Sequence, residues 1–137
     1  MKSRPVAILW TLCLLPCLTL LALPQPVEAQ EKGDKPAKLL RHVVLFQFKS
    51  NVTKDQLKEV TDAFATLPKK IPTIHAFEWG TDVSVENRSE GFTHCFLVTF
   101  RSAKDRDDYI PHAAHQEFVK LLLPRLEKVL VVDYWTN

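Results

Sequence analysis

Glycine is nearly missing: Gly33, Gly80 and Gly91 are the only three in 137 residues. Without clustered glycines no loop can wrap successive backbone N–H groups around a phosphate, so neither a P-loop nor a dinucleotide-binding fingerprint can be written along the chain. An excess of one charge sign is missing too. The 18 Lys+Arg stand against 16 Asp+Glu, a net charge of +2, which lacks the basic footprint expected of a nucleic-acid or anionic-membrane binder. Cysteine is limited to Cys13, Cys17 and Cys95. What the chain does have is 46% hydrophobic residues, enough to build a core and more than a disordered chain carries.

Lys2 and Arg4 precede an uncharged apolar run from Val6 to Leu23, followed by Pro24, Pro26 and the triplet Val27-Glu28-Ala29. A basic start, an apolar middle and small residues before a cut predict a secretory signal over residues 1–29, cleaved after Ala29, and export of the remainder. The run approaches the roughly 20 residues that span a bilayer, which leaves an uncleaved N-terminal membrane anchor as the alternative. Cleavage removes two basic residues and one acidic residue and leaves 16 against 15, so neither nucleic acid nor membrane is expected as a partner of the mature chain. It also removes Cys13 and Cys17. Cys95 is then alone, and in an apolar strand without a basic neighbour it reads as a small core residue rather than a nucleophile. Residues 30–38 are charged and contain Gly and Pro, which reads as a flexible linker, and residues 39–137 form one domain with one core.

Within that domain, Leu39 to Phe48 is β-branched and aromatic and reads as a strand, with Leu40, His42, Val44, Phe46 and Phe48 on one face. Thr53 and Gln56 form a capping-box pattern, after which Leu57, Val60, Thr61, Phe64 and Leu67 recur at helical spacing until Pro68. Ile74 to Val83 and Phe92 to Phe100 read as strands, the second with Phe92, His94, Phe96, Val98 and Phe100 on one side. Ser102 can cap a short helix ending near Ile110, because Pro111 limits its continuation. A longer helix follows from about His112, kinked or restarted at Pro124, and Val129 to Trp135 reads as the last strand.

The order β-α-β-β-α-β predicts an α+β, ferredoxin-like domain with an antiparallel sheet and helices on one face. Strands taken as central are apolar on both faces, as Val43 with Leu45 and Leu130 with Val132 show against Val44 with Phe46 and Val129 with Val131. A sheet left open on such a face would expose a large apolar patch, which predicts a homodimer through the sheet face.

His42 and His94 fall on the strand face assigned to the helices, each flanked by large apolar residues. Such an imidazole is either a core residue satisfied by one partner or the polar spot of a small-molecule cavity. The segment Asp108-Tyr109-Ile110-Pro111-His112-Ala113-Ala114-His115 places Tyr109 and His115 on either side of a proline corner, where they can converge. A phenol can donate to a carbonyl while an imidazole removes a proton from the carbon beside it. The other reading of the segment is a helix start with capping histidines. A metal site from His112, His115, His42 and His94 would need two strands and a corner to converge without a carboxylate or thiolate, so no metal ligand is assigned.

Arg41-His42-Val43-Val44-Leu45-Phe46-Gln47-Phe48-Lys49, Trp79-Gly80-Thr81-Asp82, Glu90-Gly91-Phe92-Thr93-His94, the Asp108 to His115 segment, Glu127-Lys128 and Asp133-Tyr134 follow one another in a characteristic order and spacing. Together they resemble the stress-responsive A/B barrel (Dabb) family over Leu40 to Tyr134. The resemblance implies the same β-α-β-β-α-β unit, paired through its sheets into a dimeric α/β barrel. It implies no cofactor. In a member that closes a polyketide chain, the tyrosine and second histidine of the matching segment are catalytic, which points to Tyr109 and His115 here. His42 and His94 match pocket positions of that member, as do Val44, Phe46, Phe64, Phe96, Ile110 and Phe118, and His112 of the same segment is counted with these ligand-binding residues. The family's His-Pro-x-His is here His112-Ala113-Ala114-His115, a glycine is replaced by Val119 and a tryptophan by Leu126, so the cavity is expected to be reshaped. Two functions are expected from this: binding of a small hydrophobic molecule between sheet and helices, or cofactor-independent cyclase, lyase or isomerase chemistry with His115 as general base.

Overall fold

The computed structural model describes residues 38–137; the expected signal over residues 1–29 and linker residues 30–37 lie outside the described residues. The elements run β1 (Leu40–Phe48), α1 (Lys54–Lys70), β2 (Ala76–Thr81), β3 (His94–Phe100), α2 (Ala103–Tyr109), α3 (Ala113–Leu122), a single 3-10 turn (Leu123–Arg125) and β4 (Leu126–Trp135). The strands form one sheet in the order β2-β3-β1-β4, with every neighbouring pair antiparallel. With its helices on one face, this is the ferredoxin-like arrangement. No helix among the described residues is long and apolar enough to cross a membrane.

Alternation in β1 buries Leu40, His42, Val44 and Phe46 beneath the helices, while Arg41, Val43 and Leu45 face the other way, half-buried. Thr53 and Gln56 close a reciprocal capping box, Thr53 N–H donating to Gln56 Oε1 at 2.9 Å and Gln56 N–H to Thr53 Oγ1 at 3.3 Å. From that cap α1 turns Val60, Thr61, Phe64 and Leu67 onto the sheet. Pro68, expected to end this helix, lies inside it. In the last turn a missing N–H forfeits one bond, and Ile71 N–H closes the end on Leu67 O at 2.8 Å.

The core is an aromatic stack: Phe64 meets Phe96 and Phe118 at 4.5 Å between ring centroids, Phe77 at 5.1 Å and Phe46 at 6.1 Å. One residue of α1 thereby ties three strands to α3, and burying each such ring contributes about 1.5–3 kcal/mol.

Three expectations are corrected. β2 and β3 are shorter than the apolar runs that announced them, although single bonds extend their pairing, His75 N–H to Thr99 O at 2.8 Å and Asp82 N–H to Thr93 O at 2.9 Å. Residues 129–132 are not in a central strand. β1 takes the centre by pairing with both β3 and β4, so β4 is an edge and Val129, Leu130, Val131 and Val132 stay 44–50% exposed on both faces. Cys95 is exposed rather than in the core, because the alternation that buries Phe96 turns it to the helix-free face.

Candidate functional site

Ser102 starts α2 by accepting from Asp105 N–H at 3.0 Å, and the helix ends by delivering Tyr109 into the core at 1% exposure. Pro111 then breaks the chain direction. His112 starts α3 as its N-cap, its Nδ1 accepting from Ala114 N–H at 3.2 Å. The capping reading of the histidine segment therefore holds for His112. It does not describe His115, which lies in the first turn of α3 with its ring centroid 4.2 Å from that of Tyr109. His115 Nδ1 is 2.8 Å from the Ile110 carbonyl oxygen, which also accepts from Gln116 Nε2 at 2.7 Å. A carbonyl oxygen only accepts, so Nδ1 carries the hydrogen and Nε2 keeps its lone pair.

These two residues border a cavity of about 210 Å³ between the sheet and α3. Val44 and Phe46 of β1 form its floor, with Phe64 of α1. Ile110 and Phe118 add to the helix side, and His42 closes it beside Tyr109, with ring centroids 5.9 Å apart. His42 Nδ1 donates to Asp133 Oδ1 at 2.6 Å. Among the described residues the Tyr109 hydroxyl has no hydrogen-bond partner, and its ring is on the cavity wall. The site thus combines apolar walls with one phenol donor and imidazole acceptors, the usual makeup of a small-molecule pocket.

Three residues expected at the pocket lie elsewhere. Phe96 is fully buried behind Phe64. His112 is occupied as a cap. His94 begins β3, on the other side of β1 from the cavity's β4 wall, packed on Phe48 at 5.0 Å and stacked on Trp79 at 6.4 Å, with Nδ1 2.9 Å from Thr93 Oγ1. It borders instead an open depression of about 660 Å³ on the helix-free face, between the β2–β3 loop and Leu45, Cys95 and Leu130. The four histidines of the metal arrangement are therefore not brought together. Conversely, Leu122, Leu123, Val129 and Val131 line the cavity although they were not expected there, and Val119 and Leu126, the two reshaped positions, line it as well. Leu122 is four residues beyond Phe118 and was readable from helical spacing; Val129 and Val131 required the register that sets them against Phe46 and Val44.

Burial raises the Tyr109 phenol far above the ordinary tyrosine range, so it is a donor at any physiological pH. Burial also lowers His115 below the ordinary imidazole value, against the opposing pull of the Ile110 carbonyl, and neighbouring His42 and His112 push the same way as burial. His94 is lowered by burial alone. Since the unfolded chain then binds protons that the folded chain refuses, stability is full above the ordinary imidazole pKa of about 6.5 and is lost as pH falls from there. Urea midpoints measured between about pH 8 and 5.5 are expected to drop on the acid side, and His115→Gln is expected to flatten the slope. An unchanged slope in that variant would remove His115 from the linkage.

A family model described as Stress responsive A/B Barrel Domain matches residues 40–136. A stress-response A/B barrel domain-containing protein of Arabidopsis thaliana is 43% identical over 95 residues, 69% of this chain and 87% of that protein. Olivetolic acid cyclase of Cannabis sativa is 36% identical over 95 residues, 69% of this chain and 94% of the cyclase. Among solved structures, the hydroxynitrile lyase from Passiflora edulis superposes with a TM-score of 0.70 at 32% identity, covering 74% of this chain and 96% of the lyase. A dimeric ferredoxin-like protein of unknown function from Jannaschia superposes with a TM-score of 0.63 at 26% identity, covering 70% of this chain and 97% of that one.

Proposed function

Because the chain belongs to the stress-responsive A/B barrel family, we propose that it is an exported homodimer that binds a small, largely apolar molecule in the cavity between sheet and α3. The observation that carries this reading is the cavity itself: about 210 Å³, walled by Val44, Phe46, Phe64 and Phe118, with Tyr109 and His115 at its polar edge. A carbonyl on the ligand would take the Tyr109 hydroxyl, which has no partner among the described residues. The dimer follows from the helix-free face. Val43, Leu45 and Leu97 lie there half-buried beside Leu130, Val132 and Tyr134, which are 44–48% exposed, and β4 is a long apolar edge. Monomers rarely leave such a surface to water.

A second reading is favoured by the Tyr109–His115 geometry. With Nδ1–H held on the Ile110 carbonyl, His115 Nε2 can remove a proton from the carbon next to a ligand carbonyl while Tyr109 donates to the developing enolate oxygen. That one relative is a cyclase and one similar structure a lyase supports a catalytic reading.

Native mass spectrometry of residues 30–137, purified from the exported fraction without added ligand, tests the proposal. A dimer carrying a small organic adduct is the expected result, and the same adduct is expected to be lost on Phe118→Trp, which fills the cavity. A monomer overturns the dimer. A bare dimer whose cavity also takes up no apolar probe, such as a small aromatic ketone, overturns the binding reading.

A further inference from the structure

Beside the cavity is a charge cluster that the proposed chemistry does not use. Asp133 accepts from His42 Nδ1 through Oδ1 at 2.6 Å and from Arg106 Nη1 through Oδ2 at 2.9 Å. The same guanidinium donates through Nε and Nη2 to Asp107 Oδ1 at 3.1 and 2.8 Å. We infer that Asp133, clamped by Arg106, is a positioning residue that fixes His42 as a second proton acceptor of the cavity, with hydrogen on Nδ1 and the lone pair on Nε2. The inference rests on the small-molecule reading of the cavity for its purpose and on this geometry for its content.

An ionised carboxylate has no hydrogen to give, so the ring nitrogen it touches must be the one that carries hydrogen. Which nitrogen that is depends on where the carboxylate is held. His42 and Asp133 are direct partners in the β1–β4 register, which sets their side chains on one face. Beyond β4, however, there is no further strand among the described residues, and the Asp133 side chain is 29% exposed. Solvent on that side would leave the carboxylate free to turn away. Arg106 prevents this from α2, and its planar fork can satisfy Asp107 and Asp133 together, which a lysine ammonium would do less rigidly. Arg106 and Tyr109 are three residues apart on one helix, so the ion pair also anchors the helical face that presents the phenol. Tyr109 is then flanked by two imidazoles, at 5.9 Å from His42 and 4.2 Å from His115, each with its Nδ1 bound and its Nε2 unclaimed among the described residues.

The test is the tautomer of His42, read from the ¹⁵N shifts of its ring in residues 30–137 at about pH 8, above the ordinary imidazole range. The expected pattern is a protonated-type Nδ1 and an unprotonated-type Nε2. Asp133→Ala should collapse that difference to the averaged shifts of a solvated imidazole, Arg106→Ala should shift it part of the way, and Arg106→Lys should restore most of it. His115 provides the internal reference, because its Nδ1–H remains on Ile110 in every variant. A wild-type His42 with hydrogen on Nε2, or an unchanged pattern in Asp133→Ala, overturns the inference. Should Asp133→Ala fail to fold, Arg106→Ala at a half-exposed helix position decides it: an unchanged His42 there leaves Arg106 only a surface ion pair. No ligand enters the measurement, so an empty cavity in the mass spectrum would leave this result standing and the two failures distinct.

Discussion

Phe64→Ala should be among the most destabilising single substitutions in the domain, costing about 3–5 kcal/mol. The side chain is 1% exposed and its ring meets those of Phe46, Phe77, Phe96 and Phe118, so truncation removes contacts to three strands and α3 at once. The surrounding rings belong to separate elements and cannot all move into the gap, which leaves a void as well as lost burial. Against a total stability of about 5–15 kcal/mol, that loss leaves the domain marginal at physiological temperature. A thermal melt would show a fall of tens of degrees, at about 4–8 °C per kcal/mol for a domain of this size. Because Phe64 also walls the cavity, the void joins the binding space, and a larger apolar ligand should recover part of the loss. A fall of only a few degrees would mean that α1 is held to the sheet by something other than this stack.

Tyr109→Phe should have the opposite profile: little change in stability and a large loss of turnover. The ring remains in place, and the hydroxyl it loses bonds no described residue, so the melt should barely shift. If the cavity stabilises an enolate, removing its one phenol donor should lower kcat by about 10²–10³, while His115→Ala should lower it by about 10²–10⁴ as a general base. Ligand affinity should fall far less in both, since most of the cavity wall is apolar. The lowered imidazole pKa of His115 adds a pH signature: the base stays neutral below the ordinary range, so the acid limb of the rate profile should lie on the acid side of about pH 6.5. If a turned-over substrate is found and neither variant slows it, the acid–base assignment is wrong and the binding reading remains.

Much of this was legible in the chain because it is local. The capping box at Thr53 and Gln56, the strand alternation around His42 and Phe46, the cap at Ser102 and the proline corner at Pro111 each depend on residues within one or two turns of each other. The element order followed, and the element order with its turn lengths leaves few sheet topologies. The histidines divided for the same reason. His112 could be read as a cap because a cap is a two-residue interaction, whereas His94 was assigned to the pocket by its strand face and its match to a pocket position of a family member, and face does not say that β3 lies on the side of β1 away from the cavity.

The sequence by itself determined the β-α-β-β-α-β order, the buried faces of β1 and α1, and the approach of Tyr109 to His115 across a short corner, since periodicity and chain connectivity set all three. Only the tertiary structure decided that β4 is an edge, that Val129 and Val131 wall the cavity while Phe96 does not, and that Asp133 reaches His42 with Arg106 behind it. Those pairings join residues 91 and 27 positions apart, and no local propensity carries such a distance. His42 and Asp133 meet because the antiparallel β1–β4 ladder sets them directly opposite each other and so brings the two ends of the domain side by side, within reach of Arg106 on α2.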